Sequence, residues 1–181
     1  MRFRSSSLVC LAFAVLAVFV LHILVPGGGA AKAADPETPP QRRGSGLPIP
    51  RFASLRSDEV NVRTGPGTRY PVDWVFKRKS MPVEIVAEFD NWRKIRDWQG
   101  ASGWVHQSLL TGKRSFLIAS KAASLHKTPS ASAEVVAKLE PEVLGEIRSC
   151  SGDWCRVRTS AVSGWIERTD LWGVYKSEPI N

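Results

Sequence analysis

The sequence predicts an all-β protein of two tandem small barrels, preceded by a targeting segment and a proline-rich linker. Short runs of alternating apolar and polar residues are separated by Gly, Pro, Asn and Asp, which is typical of short strands joined by tight turns. This pattern occurs twice, in units of about 60 residues. The 181-residue chain contains 12 Pro, 14 Gly and 7 Trp, a composition that favours small β-modules over helical domains.

The first unit has its clearest strand and turn at residues 60–67. Two valines alternate there with polar residues, and Gly65-Pro66-Gly67 then ends the strand. Two β-prone runs follow at 82–89 and 92–96, with a hairpin turn between them, and Gly103-Trp104-Val105 begins another strand. In the first run we expect Ala87 to lie on the inward face together with Val83 and Ile85. The predicted core consists of Val60, Val62, Val83, Ile85, Ile95 and Val105.

The second unit repeats the first in the same order. Residues 124–129 match 61–66, and the run 143–147 matches the strand that starts at Val83. The later matches are Trp154 with Trp92, Val157 with Ile95, and Gly164-Trp165-Ile166 with Gly103-Trp104-Val105. The offset drifts from 124 − 61 = 63 to 165 − 104 = 61, so short loop deletions separate the copies. We therefore predict one barrel at 55–112 and a second at 113–176.

Residues 1–33 have the pattern of a secretory signal peptide. Arg2 and Arg4 precede an apolar run at 8–25, and Ala31-Lys32-Ala33 offers small residues for cleavage after Ala33. The run is nearly long enough to span a bilayer, so an uncleaved membrane anchor is the alternative. Either arrangement exports the remaining chain, which predicts a periplasmic or secreted protein with a Pro/Arg-rich linker at 34–54.

Four short motifs of the first unit resemble those of the bacterial SH3 (SH3b) domain: Asn61-Val62-Arg63, Gly65-Pro66, Asn91-Trp92 and Gly103-Trp104-Val105. The pair of units is similar to exported tandem SH3-like proteins of Gram-negative bacteria, over residues 55–175. The resemblance implies SH3-like barrels of five to six strands that bind cell-wall peptides or other ligands, often beside catalytic domains. The second unit has Ser124, His126 and Thr128 in place of the Asn, Arg and Gly, which leaves open whether it binds a ligand.

Cys150 and Cys155 flank a four-residue loop in the second predicted hairpin. In the proteins that the chain resembles, a Cys-x-x-x-x-Cys hairpin occupies this place. Opposed hairpin residues lie close enough for a disulfide, and an exported protein meets oxidising conditions. We expect a structural disulfide, with free thiols or a redox or metal site as the alternatives. A metal site would lack a nearby His, and the spacing is wider than in Cys-x-x-Cys redox sites.

The tryptophans divide into matched and unmatched positions. Matched positions predict core or half-buried packing, whereas aromatic residues in loops are common peptide contacts on small barrels. The matched residues are Trp92, Trp104, Trp154 and Trp165, and the unmatched residues are Trp74, Trp98 and Trp172. We therefore predict ligand contacts at Trp74 and Trp98, with Tyr70 as a companion.

The basic residues are unevenly distributed. The formal charge is +8; residues 55–115 have 11 basic and 7 acidic residues, or +4, whereas 116–181 have 8 of each. Lys77-Arg78-Lys79 and Arg93-Lys94-Arg96 supply most of this excess. This positive excess either forms a solvated surface or attracts peptide carboxylates and anionic polymers, with Arg63 as a fixed hydrogen-bond donor. Arg63, Arg93 and Arg96 therefore join the candidate ligand-binding residues.

No constellation of residues points to catalysis. His106 and His126 lie in different units, and no nucleophile motif, metal-binding helix or phosphate loop is present. We expect no enzyme activity, no cofactor, no metal and no nucleic-acid partner. The prediction is a non-catalytic module that binds peptidoglycan peptides or an envelope protein, and the alternative is a structural or adaptor protein of the envelope. Membrane contact is expected only if the signal segment stays uncleaved.

Overall fold

Strands are the main secondary structure in the part of the chain that the structure describes. A computed structural model describes residues 44–119 and 121–181. The predicted signal peptide and residues 34–43 of the predicted linker lie outside these ranges. The first sheet contains β1 Arg51–Leu55, β2 Val60–Arg63, β3 Val72–Phe76, β4 Pro82–Phe89, β5 Trp92–Arg96, β6 Ser102–His106 and β7 Leu110–Thr111. The second contains β8 Ser115–Ile118, β9 Ala123–His126, β10 Val135–Leu139, β11 Leu144–Ser151, β12 Trp154–Arg158, β13 Ser163–Glu167 and β14 Leu171–Trp172.

The two sheets have the same topology, and we call them the first barrel (β1–β7) and the second barrel (β8–β14). Their strand orders are β3-β2-β6-β5-β4-β1-β7 and β10-β9-β13-β12-β11-β8-β14, so each strand of the second has its counterpart seven strands earlier. Short 3₁₀ turns at Gln107–Leu109 and Arg168–Asp170 precede the last strand of each barrel. The predicted all-β fold and internal repeat are confirmed. Within the described ranges, no helix has the length and apolar character needed to cross a bilayer.

The predicted end of the linker at Ser54 is wrong. β1 begins at Arg51, and Phe52, Ala53 and Ser54 are buried. β1 pairs with β4 on one side and with β7 on the other. Since nearly every residue of this strand is buried, it lacks the apolar–polar alternation that would indicate a strand.

Each barrel has its own hydrophobic core. The first includes all six residues predicted for it, and each of them is at most 3% exposed: Val60, Val62, Val83, Ile85, Ile95 and Val105. Leu117 of β8 also belongs to this core, so the second barrel contributes to the packing of the first. The second core is built around Phe116, Leu125, Val157 and Ile166.

A β-bulge near the end of β4 changes which side chains face inward. The register shifts between Ile85 and Ala87, so that Ile85 is paired with Ile95, and Glu88 with Arg93. Because side chains alternate along β5, Ile95 and Arg93 lie on one face, and their partners share it. Glu88 therefore takes the inward place predicted for Ala87.

The two barrels are packed against each other within one compact unit. The ring of Phe52 contacts Trp172 at a centroid distance of 5.1 Å and Tyr175 at 4.7 Å. Trp172 Nε1 donates to the Pro82 carbonyl at 3.2 Å, and the Tyr175 hydroxyl donates to Glu84 at 2.7 Å. Apolar burial and directional hydrogen bonds thus fix the two barrels together.

Candidate ligand-binding site

The loop between β2 and β3 brings Arg63 and Tyr70 together. Arg63 Nη1 donates to the Thr68 carbonyl at 3.2 Å and to the Tyr70 carbonyl at 2.7 Å. The Tyr70 ring covers Gly65, where a Cβ atom would lie 2.5 Å from the ring. Glycine is needed there because of this close approach. The Arg63 guanidinium thus braces the loop, and the ring of Tyr70 remains half-buried at its surface.

Trp74 and Trp98 pack against the first core. Both are half-buried and contact the core cluster. Trp74 also meets the Phe76 ring edge-on at 6.2 Å. Trp98 lies in the β5–β6 turn, where the buried Asp97 carboxylate accepts the backbone N–H groups of Gln99 and Ala101. Packing accounts for both indoles, and their role as ligand contacts stays a prediction.

Arg93 is buried at 4% exposure, although the sequence suggested a cation facing a ligand. Its guanidinium donates to the carbonyls of Asp90 (2.7 Å) and Trp92 (3.0 Å) and to Gln107 Oε1 (2.6 Å). Its Nε lies 3.1 Å from Glu88 Oε1. Arg93 therefore holds the β4–β5 turn and does not add to the positive surface predicted for this strand.

Glu88 is the anionic partner of this cluster and is 8% exposed. Burial alone would raise the pKa of its carboxyl, but hydrogen bonds from Arg51 and Ser45 outweigh burial and lower the pKa to about 2. The carboxylate thus also connects residues before β1 to the β4–β5 hairpin.

Arg96 has an intramolecular partner as well. Its guanidinium donates to Glu84, whose side chain is 5% exposed, and the second oxygen of Glu84 accepts from Tyr175. Burial, followed by the hydrogen bond to Glu84, raises the pKa of Tyr175 well above its usual value. Arg96 belongs to the contact between the barrels, so the structure does not join Arg93 or Arg96 to the Arg63–Tyr70 loop.

The matched tryptophans are half-buried, as predicted, yet none of Trp92, Trp104, Trp154 and Trp165 belongs to either core cluster in the described chain. Trp92 meets the ring of His106 edge-on at 5.5 Å, and Trp154 meets His126 at 5.3 Å. The two histidines come from different strands of their barrels. In both barrels an imidazole therefore packs edge-on against the equivalent indole, although the two histidines occupy non-equivalent strands.

A pocket of about 580 Å³ lies beside Trp154. The β9–β10 loop, the β11–β12 turn and the 3₁₀ turn after β13 form its walls, with Pro129, Asp153, Glu167, Arg168 and Lys176 among the lining residues. Arg168 is buried and donates to the carbonyls of Gly152, Tyr175 and Glu178. The remaining charged groups, Asp153, Glu167 and Lys176, are exposed, so the pocket combines an aromatic wall with both signs of charge.

Sequence reasoning treated Trp154 as a packing residue and did not identify this pocket. A signal was present, since both Trp92 and Trp154 directly follow a polar turn residue, Asn91 and Asp153. A tryptophan beside a hairpin turn sits at the end of its strand, where a core covers it incompletely.

The predicted disulfide is present. Cys150 and Cys155 are direct partners of β11 and β12, with Cα atoms 4.0 Å apart. The Cys150 N–H points away from Cys155 and donates to the Ile180 carbonyl at 2.8 Å. A bulge between Ile147 and Ser149 gives these cysteines the register that Glu88 and Arg93 have in the first barrel. In residues 44–119 and 121–181, no cluster of three His, Cys, Asp or Glu residues could hold a metal ion.

Comparisons with known proteins agree with this architecture. One relative is the Bacillus subtilis (strain 168) protein named "Putative N-acetylmuramoyl-L-alanine amidase YrvJ", which is 26% identical over 125 residues. The match covers 63% of this chain and 24% of the relative, so the chain spans about a quarter of that protein.

Two solved structures, NlpC2 and NlpC1 from Trichomonas vaginalis, share 12% and 14% identity with the chain. The matches cover 73% and 78% of this chain, and 51% of each of those proteins, with TM-scores of 0.33 and 0.32. Scores of this size are too low to establish a shared overall arrangement.

The family comparison is decisive for the identity of the domains. The model of the bacterial SH3 domain matches residues 56–112 and 119–173. The two segments cover β2–β7 and β9–β14, and the first strand of each barrel, β1 or β8, lies directly before its segment. The protein therefore belongs to the bacterial SH3 domain family, with two tandem copies of the domain.

Proposed function

We propose that this protein is a non-catalytic binding module of the cell envelope that recognises peptidoglycan peptides. The observation that carries the proposal is the pocket beside Trp154, where an indole outside the core meets exposed charges of both signs. A peptide with an ammonium group and a carboxylate suits such a lining, since each charge finds an opposite one. The relative named as an amidase supports a wall-associated, extracytoplasmic location.

The pocket has a fixed framework. The Cys150–Cys155 disulfide lies next to the turn that carries Asp153 and Trp154. Arg168 ties this turn to the C-terminal segment through three backbone carbonyls. A preorganised site lowers the entropic cost of binding. The first barrel has its matched Trp92 beside a comparable turn, which makes it a second position for the same class of ligand.

Binding to purified peptidoglycan sacculi tests this function. Trp154→Ala should weaken retention by about tenfold or more, as expected for a buried aromatic contact. The matched control is Trp165→Ala, which removes a half-buried indole of the same barrel that does not line the pocket. Equal losses in the two variants, or no retention of the wild type, would rule out this site.

A second candidate function is an adaptor role without a wall ligand. Val135 and Val136 are 47% and 45% exposed on β10, an edge strand of the second sheet. Exposed apolar edge strands suit pairing with another protein. Photo-cross-linking from position 136 in intact envelopes would capture such a partner, whereas binding to sacculi without an envelope protein favours the first function.

A further inference from the structure

A second and larger cavity lies between the two barrels. This cleft of about 850 Å³ is lined by the end of β1, the turn before β4, the connection between the barrels, and two segments of the second barrel. It shares no lining residue with the pocket beside Trp154. Any ligand held here therefore contacts both domains at a place where neither domain alone would form a site.

The lining of the cleft is strongly basic. Five cations and one carboxylate contribute to it, which gives 5 − 1 = +4: Arg56, Lys79, Lys113, Arg114, Arg158 and Glu146. Apart from the neighbours Lys113 and Arg114, these residues are far apart in the sequence, and no single stretch of the chain shows the whole charge. Several Ser and Thr residues complete the wall and can donate hydrogen bonds.

The single carboxylate is already neutralised. Glu146 Oε2 lies 3.2 Å from Arg158 Nη2 and 3.0 Å from Arg148 Nη2, so two guanidinium groups share one negative charge. The net charge of the lining therefore stays positive, although this carboxylate cancels part of the positive charge that an incoming anion would meet.

The cations differ in how firmly they are placed. Arg56 donates to the Leu110 carbonyl, and Arg114 donates to Glu178 and to the Gly173 carbonyl. Lys79 and Lys113 are exposed, and neither ammonium group has an ion pair within the described ranges. The cleft thus has two ammonium groups without an ion pair in the described ranges, beside fixed guanidinium groups of which Arg114 and Arg158 are already ion-paired.

We propose that this cleft binds an oligomeric oxyanion, a chain with two or more carboxylate or phosphate groups that bridges the barrels. Guanidinium and ammonium groups recognise both kinds of anion, and hydroxyl donors serve either. A multivalent ligand fits best, since the cations come from both barrels and from their connection. The site acts independently of peptide recognition beside Trp154.

Two probes distinguish the sources of the oxyanion. Fluorescence anisotropy of labelled deca-glutamate reports carboxylate binding, and calorimetry with inorganic polyphosphate reports phosphate binding. The double variant Lys79→Gln/Lys113→Gln should lower the affinity for whichever probe binds by about tenfold or more. The control, Lys127→Gln with Lys138→Gln, removes the same charge from exposed lysines outside the cleft.

A third variant changes affinity in the opposite direction. Glu146→Gln removes the one carboxylate of the lining and should strengthen binding by a few-fold. Cleft-specific weakening together with this gain supports the site, for whichever probe binds. Equal weakening in the two double variants would show attraction to net charge alone and would overturn the proposal. Failure of both probes to bind at low salt would overturn it as well.

Discussion

Replacing Arg93 with Ala separates the sequence-based interpretation of this residue from the structural one. If Arg93 meets a ligand, the variant should stay as stable as the wild type and lose affinity. In the structure the guanidinium is buried instead. Its N–H groups donate to two backbone carbonyls and to Gln107, and its Nε is ion-paired with Glu88. We therefore expect Arg93→Ala to act chiefly on stability.

The magnitude follows from what the substitution leaves behind. Removal of one partner of a buried ion pair costs about 3–5 kcal/mol, because the other charge stays buried. Here Glu88 keeps its hydrogen bonds from Arg51 and Ser45, and Gln107 is exposed to water. The loss should thus lie near the lower limit, at about 3 kcal/mol, which corresponds to a fall in Tm of about 10 °C for barrels that unfold together.

Urea unfolding at neutral pH measures this loss. Arg96→Ala is the matched control on the same strand, because its guanidinium is 49% exposed and Glu84 keeps the Tyr175 hydroxyl; we expect a cost of about 1 kcal/mol. A double-mutant cycle with Glu88→Gln should give a coupling energy above about 1 kcal/mol. A fully stable Arg93→Ala protein with reduced sacculus binding would refute the structural reasoning.

Three further predictions concern other contacts. The native pKa of Glu88 is lowered to about 2 from 4.5. Its ionised carboxylate therefore contributes fully to the free energy of unfolding above pH 4.5, and this contribution is lost as the pH falls toward 2. Glu88→Gln should flatten that part of the profile of stability against pH. Replacing Cys150 and Cys155 with Ser should lower the unfolding free energy by about 2 kcal/mol, since the bridge closes a short loop. Tyr175→Phe should cost about 1 kcal/mol in urea unfolding through its lost hydrogen bond to Glu84; unchanged stability in any of these three variants would contradict the contact concerned.

The correspondence between Glu88–Arg93 and Cys150–Cys155 shows one limit of sequence reasoning. The repeat was evident, but the bulge in β4 was not, because one extra residue reverses the facing of every later side chain. The sequence pattern therefore predicts Ala87 on the inward face. It also suggests a surface cation at Arg93, although alternation with Ile95 along β5 already places Arg93 inward. With the observed register, an ion pair and a disulfide occupy the same cross-strand position in the two barrels.

The tryptophans show a second limit. The repeat match predicts packing for Trp92 and Trp154, and the absence of a match leads to the prediction of ligand contacts at Trp74 and Trp98. In the structure, the unmatched pair contacts the first core and the matched pair does not. A match in sequence shows that a position recurs, whereas only the surrounding elements decide how much of the indole they cover.

The sequence by itself determined the strands with clear alternation, the tandem repeat and six residues of the first core, and it predicted the disulfide ahead of its alternatives. These features depend on local alternation, turn residues and short spacing, which a linear pattern displays directly. The sequence did not show β1, which lacks this alternation. Only the tertiary structure decided which charged groups are paired and which line a cavity. Arg56, Lys113 and Arg158 form one basic cleft because two barrels pack side by side, and electrostatic interactions depend on distance in space, not on separation along the chain.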